Sequence, residues 1–268
     1  MKLVALQSAW ESLARFNPTW AILSTDSDLT ATHELEQFFA SGASEIAHVF
    51  AKLDEFGVAM PQLAAVDFGC GIGRLTQAIA GRFPRTIGID VSPSMVQLAR
   101  KYDEDHRCEF VANDTDDLAF LATGCAGFVF STLVLQHIPS EHSRRYISEF
   151  LRILAPGGAA AFQIPSKAPT AINRRLTTIF VPVLYPLIPR SLFKLYRRVR
   201  YRNISKARRD AMPIFDRVAL RIYGIDRTEI EELVRQRNAE ILLVESTDEV
   251  GAGWPSFRYF IQKSQGAP

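Results

Sequence analysis

Apolar positions along this chain follow two periods in turn. Short runs at 63–68, 86–90, 108–112, 127–131 and 159–164 have the length and the β-branched or aromatic content of buried strands. Between and before them the spacing is helical. Ile46, Val49, Phe50 and Leu53 make one stripe over 43–56, and a helix is predicted over about 72–82. Ser92 followed by Pro93 reads as a helix N-cap with proline in the first turn. Near the end, Asp226-Arg227-Thr228-Glu229 has the form of a capping box ahead of Ile230, Leu233 and Val234, and strands are expected near 241–245 and 257–262. Strands alternating with helices predict an α/β sheet.

Where the first strand ends, the chain reads Val66-Asp67-Phe68-Gly69-Cys70-Gly71-Ile72-Gly73. Glycines at such a turn let backbone approach a ligand where a Cβ would collide. Asp90 closes the next strand, 21 residues after Gly69, where a carboxylate can accept both hydroxyls of a ribose. The spacing differs from a dinucleotide fingerprint: the third glycine comes one position early, at Gly73, and Arg74 holds the slot that fingerprint gives to glycine. No Gly-Lys-Ser/Thr follows, so it is not a P-loop. Asp67 beside the loop would repel a pyrophosphate and suits a ligand with an ammonium or sulfonium end.

This pattern resembles motif I of the class I S-adenosylmethionine (SAM) dependent methyltransferases. Further motifs follow in register: Val91-Ser92-Pro93-Ser94-Met95, then Asn113-Asp114-Thr115, then Leu133-Val134-Leu135-Gln136-His137-Ile138-Pro139, then Leu151-Arg152-Ile153-Leu154-Ala155-Pro156-Gly157-Gly158. The resemblance covers about 63–164 and, more weakly, 223–263. It implies a Rossmann-like, seven-stranded, mostly parallel sheet with helices on both faces. To that it adds an N-terminal helical lid over 1–60, a SAM-binding core at 61–164, an insertion at 165–222 before the last helix, and a closing helix and hairpin at 223–268.

It also implies roles. Asp67 and the carbonyl of Ser131 would orient the methionine amine, and Gly69, Cys70, Gly71 and Gly73 would line the middle of the cofactor. Asp90 would take the ribose, with Val91 and Ser92 beside it. Met95 would pack on the adenine, Asp114 would accept its amino group, and Asn113 and Thr115 would flank the ring. Trp20 belongs to the expected lid, and Arg74 either meets the methionine carboxylate or faces solvent. Cys70 reads better as a small residue that simply fits the loop. For a hydroxyl acceptor, His137 is the candidate base with Gln136 beside it, because an imidazole titrates near neutral pH. A histidine that only shapes this turn is an equal alternative.

Composition bounds the rest. The chain has 268 residues, 47% of them hydrophobic, enough for one large core plus additions. No run approaches the ~18 uncharged apolar residues of a membrane span, and Glu11 and Arg15 interrupt any signal-like N-terminus. Three cysteines without a Cys-x-x-Cys pair suggest a reducing, cytoplasmic setting and no structural zinc, and no cluster has metal-ligand spacing.

The net charge of +2 conceals an asymmetry: 150–209 holds 13 Lys or Arg and no Asp or Glu, leaving 18 basic and 29 acidic residues elsewhere. Within that stretch, 179–189 is apolar but broken by three prolines. Residues 190–202 put Leu192, Leu195, Tyr196 and Val199 on one helical face, with Arg190, Lys194, Arg197 and Arg198 largely off it. Three readings stay open. One is a solvated lid packed on the core. Another is a surface for an anionic or amphipathic acceptor, touching the inner face of an anionic membrane through 179–209. The third, RNA binding, is disfavoured by the lack of a recognised RNA module.

The expected activity is O-methylation of a small or medium metabolite, with a sugar or glycan/lipid-linked precursor favoured. A phenolic or polyketide-like acceptor lying against Phe180, Tyr185, Phe193 and Tyr196 is the alternative. An RNA methyltransferase, a non-catalytic SAM-fold partner protein and an NAD-type oxidoreductase rank below them.

Overall fold

The structure, a computed structural model, describes residues 3–16, 18, 22, 32–166, 222–247 and 254–265. Trp20 and residues 167–221 lie outside the described residues. With them go the apolar and basic parts of the insertion, its aromatic residues and the proposed membrane contact.

Five strands occupy the predicted runs: β1 (Ala64–Phe68), β2 (Arg85–Asp90), β3 (Cys108–Ala112), β4 (Ala126–Ser131) and β5 (Leu154–Pro165). Two more, β6 (Ala239–Thr247) and β7 (Ser256–Lys263), complete one seven-stranded sheet in the order β3-β2-β1-β4-β5-β7-β6. The first five pair in parallel, and β7 runs antiparallel to both β5 and β6. The described helices are α1 (Leu3–Phe16), α2 (Thr32–Glu55), α3 (Arg74–Ile79), α4 (Pro93–Tyr102), α5 (Ser140–Ile153) and α6 (Arg227–Gln236). This is the Rossmann-like architecture that the motifs imply.

Parallel strands are covered on both faces, which is why β1 and β4 are buried along their whole length. Ala64, Val66 and Phe68 face a core that includes Tyr146, Ile147 and Phe150 of α5 with Ile230 and Val234 of α6. Ala65 points the other way, toward Ile46, Val49, Phe50 and Leu53 of α2 and Leu75 and Ile79 of α3. The expected stripe is therefore core, although α2 starts at Thr32 rather than near residue 43. Its added turns bury Phe38, which shares a cluster with Leu13, Ile72 and Met95.

In β4 the alternation breaks at Gly127, where the register against β1 shifts. Ala126 belongs to one core and Phe128 to the other, although two residues apart would normally share a face. A Cβ at Gly127 would lie 2.0 Å from the carbonyl oxygen of Pro61, so only glycine allows this approach. The shift continues into β5. Leu154 pairs with Ala126 and Ala159 with Phe128, so the Pro156-Gly157-Gly158 turn bulges out within a strand that starts earlier than its apolar run.

The chain moves outward from β1 through β2 to β3, then returns to β4 on the other side of β1. Strand order reverses between β1 and β4, and the crevice beyond their carboxyl ends is where such sheets take ligands.

Candidate functional site

A cavity opens at that reversal point, with about 780 Å³ of empty space counting its mouth. Phe68, Gly69 and Gly71 supply one wall from the end of β1, and Ile89, Asp90 and Val91 a second from the end of β2. Thr132, Leu133 and Val134 follow β4, and Leu6 and Trp10 of α1 cover the space from above.

The glycine loop is backbone that side chains rarely tolerate: Gly69, Gly71 and Gly73 all have positive φ, at 80°, 54° and 88°. At Gly69 a second constraint adds to the first. A Cβ there would sit 2.1 Å from Cγ2 of Val134, the residue that closes the opposite wall. The N–H groups of Gly69 and Cys70 both donate to the carbonyl of Ile89, tying the loop to β2.

Asp90 receives the N–H of Gly71 on Oδ2 and the N–H of Ser92 on Oδ1, each at 2.9 Å. Each carboxylate oxygen keeps a further lone pair for a ligand hydroxyl. Desolvation raises the Asp90 pKa above the ordinary aspartate value, opposed by the backbone N–H groups of Ser92, Gly71 and Val91. A partly buried acid at the cavity wall, beside glycine backbone, suits a neutral polyol such as ribose.

The N-terminal helix contributes a contact that the sequence alone did not reveal. Glu11 accepts hydrogen bonds from the Ser92 hydroxyl at 2.6 Å, the Ser94 N–H at 3.1 Å and the Ser94 hydroxyl. Ser92 caps α4 as expected, its Oγ accepting from Met95 N–H. Glu11 therefore pins α1 to the helix that begins beside Asp90. Desolvation pushes the Glu11 carboxyl up, but bonds from Ser92, Ser94 and Arg15 outweigh it and hold its pKa down at about 2.

Other expected site residues divide into two groups. Val91, Met95 and Asn113 line the cavity together with Gly69, Gly71 and Asp90. Asp114 and Thr115 are exposed and stand outside the lining, and Asn113 occupies the wall with its amide nitrogen bonded to Asp117 O at 2.9 Å. Gly73 and Cys70 lie behind the lining. Cys70 packs with Val96, Ala99 and Phe110, and burial pushes its thiol pKa well up. Ser131 is fully buried, and the next residue, Thr132, faces the cavity instead.

Asp67 and Arg74 also lie behind the wall. Asp67 is 1% exposed and accepts the Thr76 hydroxyl at 2.6 Å. Burial raises its pKa to about 7 against the opposing effects of Thr76 and Arg74. Arg74 does not face solvent. It donates to Glu45 of α2 at 2.9 Å and to Ser41 Oγ at 3.2 Å. The other Glu45 oxygen takes Arg258 of β7 at 2.8 Å, and Arg258 reaches Thr132 Oγ1 at 3.5 Å.

Comparison with known proteins gives this geometry its chemistry. Residues 65–158 match the family described as "Methyltransferase domain". The chain is 36% identical over 100 residues to carboxy-S-adenosyl-L-methionine synthase of Chromohalobacter salexigens, covering 34% of this chain and 36% of that protein. It is 32% identical over 117 residues to trans-aconitate 2-methyltransferase of Methylobacterium nodulans, covering 42% and 43%. The chain thus spans less than half the length of these relatives. Among solved structures, magnesium protoporphyrin IX methyltransferase from Synechocystis PCC 6803 with bound S-adenosylhomocysteine (SAH) aligns over 97% of this chain and 99% of its own. That alignment has a TM-score of 0.59 at 17% identity, a likeness of fold.

Residues 65–158 carry a methyltransferase domain, and the fold around them is that of the class I SAM-dependent methyltransferases.

Within this methyltransferase domain, the candidate base occupies a different setting from the one its position suggested. Gln136 and His137 form a 3-10 turn, Leu135–His137, just beyond the β4 wall. Gln136 is buried, with Oε1 accepting from Gln163 Nε2 at 3.1 Å and Nε2 lying 3.1 Å from His137 Nε2. His137 does not line the cavity. Its ring meets Trp10 edge-on at 5.4 Å, and Trp10 does line it. Leu133 has φ of +60°, unusual for a branched residue and worth about 1–3 kcal/mol of strain. Its N–H is held by Gln163 Oε1 at 3.0 Å.

Sequence reasoning missed Glu11, Glu45, Gln163 and Arg258, which carry no local motif. Among the described residues, no helix is long and apolar enough to cross a membrane, and no cluster of three His, Cys, Asp or Glu could hold a metal ion.

Proposed function

We propose that the chain transfers a methyl group from SAM to an oxygen of a small or medium metabolite. Bound in the cavity, the cofactor supplies a methyl already activated on a positive sulfur. The protein's own part is to bind, orient and exclude water, and positioning of that kind is worth on the order of 7–11 kcal/mol. Asp90 would hold the ribose hydroxyls. Met95 and Asn113 would flank the base, and the glycine loop would admit the chain that carries the sulfur. Leu6 and Trp10 would screen the site from water.

The observation that carries this reading is the Asp90 carboxylate at the wall of a cavity floored by glycine backbone. A relative whose name makes a small carboxylic acid its substrate supports a small acceptor. The preference for a sugar or glycan/lipid-linked acceptor, and for contact with an anionic membrane, rests on the basic and apolar composition of 165–222.

Thermal shift tests the cofactor. SAH should stabilise the protein by RT ln(1 + [L]/Kd), whereas NAD(H) should leave the midpoint unchanged. The reverse result would remove the methyltransferase reading. Labelled SAM offered with sugar phosphates, lipid-linked sugars, phenols and carboxylic acids then identifies the acceptor by intact mass or radiolabel. Labelling of RNA alone would overturn the metabolite assignment.

A further inference from the structure

We propose that Gln163 is a positioning residue for this site, which fixes His137 as the tautomer protonated on Nδ1 through an ordered row of amides. The inference rests on the functional reading above only for its use. The row itself is set by hydrogen-bond chemistry.

It starts from a donor whose direction is certain. The N–H of Leu133 can only donate, so the Gln163 atom 3.0 Å away must be its carbonyl oxygen. The Gln163 NH₂ then points the other way, donating to Gln136 Oε1 at 3.1 Å and to Ser256 Oγ at 2.5 Å. Because Gln136 presents its oxygen to Gln163, it turns its own NH₂ toward His137 Nε2, 3.1 Å away. An amide NH₂ donates and does not accept, so His137 Nε2 must be the acceptor, and the ring proton is on Nδ1. A flip at either glutamine would set two donors face to face inside the protein. Gln163 is fully buried and Gln136 nearly so, which removes water as an alternative partner.

The same amide braces both sides of the site. One end of Gln163 holds the left-handed backbone of Leu133 in the cavity wall. The other end, through Gln136, orients the imidazole whose ring supports Trp10. His137 Nε2 is thereby occupied and does not serve as the base for an incoming hydroxyl. The proton of a hydroxyl acceptor must leave by another route, or the acceptor oxygen must arrive ionised.

Long-range ¹H–¹⁵N correlation spectra of the full-length protein labelled on histidine nitrogens test the proposal without any acceptor. The His137 signals are identified by their loss in His137→Phe. The wild-type ring should show a pyrrole-like Nδ1 and a pyridine-like Nε2. In Gln163→Glu the carboxylate accepts from both Leu133 and Ser256, the Gln136 amide turns over, and its oxygen faces His137. The tautomer should then reverse, with Nε2 protonated. Gln136→Glu should give the same protonation at Nε2 directly.

Gln163 does not touch His137, so a residue that merely filled space would leave the tautomer unchanged. A wild-type ring protonated on Nε2, or a folded Gln163→Glu variant with the wild-type pattern, would overturn the proposal. If a variant fails to fold, the wild-type tautomer still decides. SAH binding is a separate measurement, so loss of the methyltransferase reading would be recognised independently.

Discussion

Glu11 and Ser92 are separated by 81 positions in the chain and by 2.6 Å between carboxylate and hydroxyl. Ser92 simultaneously caps α4 and gives its N–H to Asp90, so one residue joins the covering helix to the acid in the cavity wall. The negative charge of Glu11 also sits at the positive end of the α4 dipole, which adds to the attraction. The covering position of α1 thus depends on the same turn that shapes the cofactor wall.

Replacing Glu11 with Gln should loosen α1 and weaken SAH binding, with a cost of about 2 kcal/mol to folding at neutral pH. The pH dependence has a definite sign. The folded-state pKa of Glu11 is depressed from 4.5 to about 2, so its contribution is complete above 4.5 and disappears as the pH falls toward 2. Denaturant titrations between pH 2 and 7 should show wild type and Glu11→Gln converging at the acid end. Parallel curves would mean that Glu11 contributes nothing through its charge.

Asp67 should behave in the opposite sense. Its folded-state pKa is raised from 3.8 to about 7, so the folded chain holds this proton where the unfolded chain has lost it. Stability associated with Asp67 is present below pH 3.8 and declines as the pH rises to 7. Asp67→Asn keeps an acceptor for Thr76 without the charge. It should match wild type near pH 4 and exceed it at pH 8 by on the order of 2–4 kcal/mol, read by urea unfolding. Equal stability at both pH values would refute this.

Gly69→Ala should abolish SAH binding or prevent folding, since its Cβ would overlap Val134 and its φ is +80°. Adding Val134→Ala removes the two closest atoms and leaves the backbone strain. Calorimetry on the double variant should recover part of the lost affinity, giving a coupling of about 0.5–3 kcal/mol. Strict additivity would show that Val134 is not what excludes a side chain there.

Glu45 holds two arginines that are both nearly buried, Arg74 and Arg258. Glu45→Gln removes the carboxylate that pairs with both buried guanidinium groups and should cost about 3–5 kcal/mol in unfolding free energy. Glu109→Gln breaks the exposed pair with Arg85 and should cost under about 1 kcal/mol. Similar losses for the two would contradict the assigned role of burial.

The cavity wall made by the ends of β1 and β2 was largely legible in the sequence. Gly69, Gly71, Asp90, Ser92 and Met95 act within one strand-turn-helix unit and the strand after it, where local sterics and capping rules apply. Asp114 was less legible, because neighbouring residues of one loop face opposite directions and Asn113 is the one that lines the cavity. Arg74 shows another limit: its partner Glu45 lies on a helix whose approach no local pattern records.

The sequence by itself determined the sheet class, the glycine turn and the acid that close β1 and β2, and the cap that starts α4. Each depends on contacts between residues near in the chain, whose spacing is written directly in residue order. Tertiary structure alone decided that Glu11 closes α1 over that site, that Arg74 and Arg258 share Glu45, and that Gln163 sets the state of His137. Those pairings exist because the sheet order places β4 between β1 and β5 and the helices lie across it. A hydrogen bond between distant residues has no period and no motif until the fold brings its two ends within 3 Å.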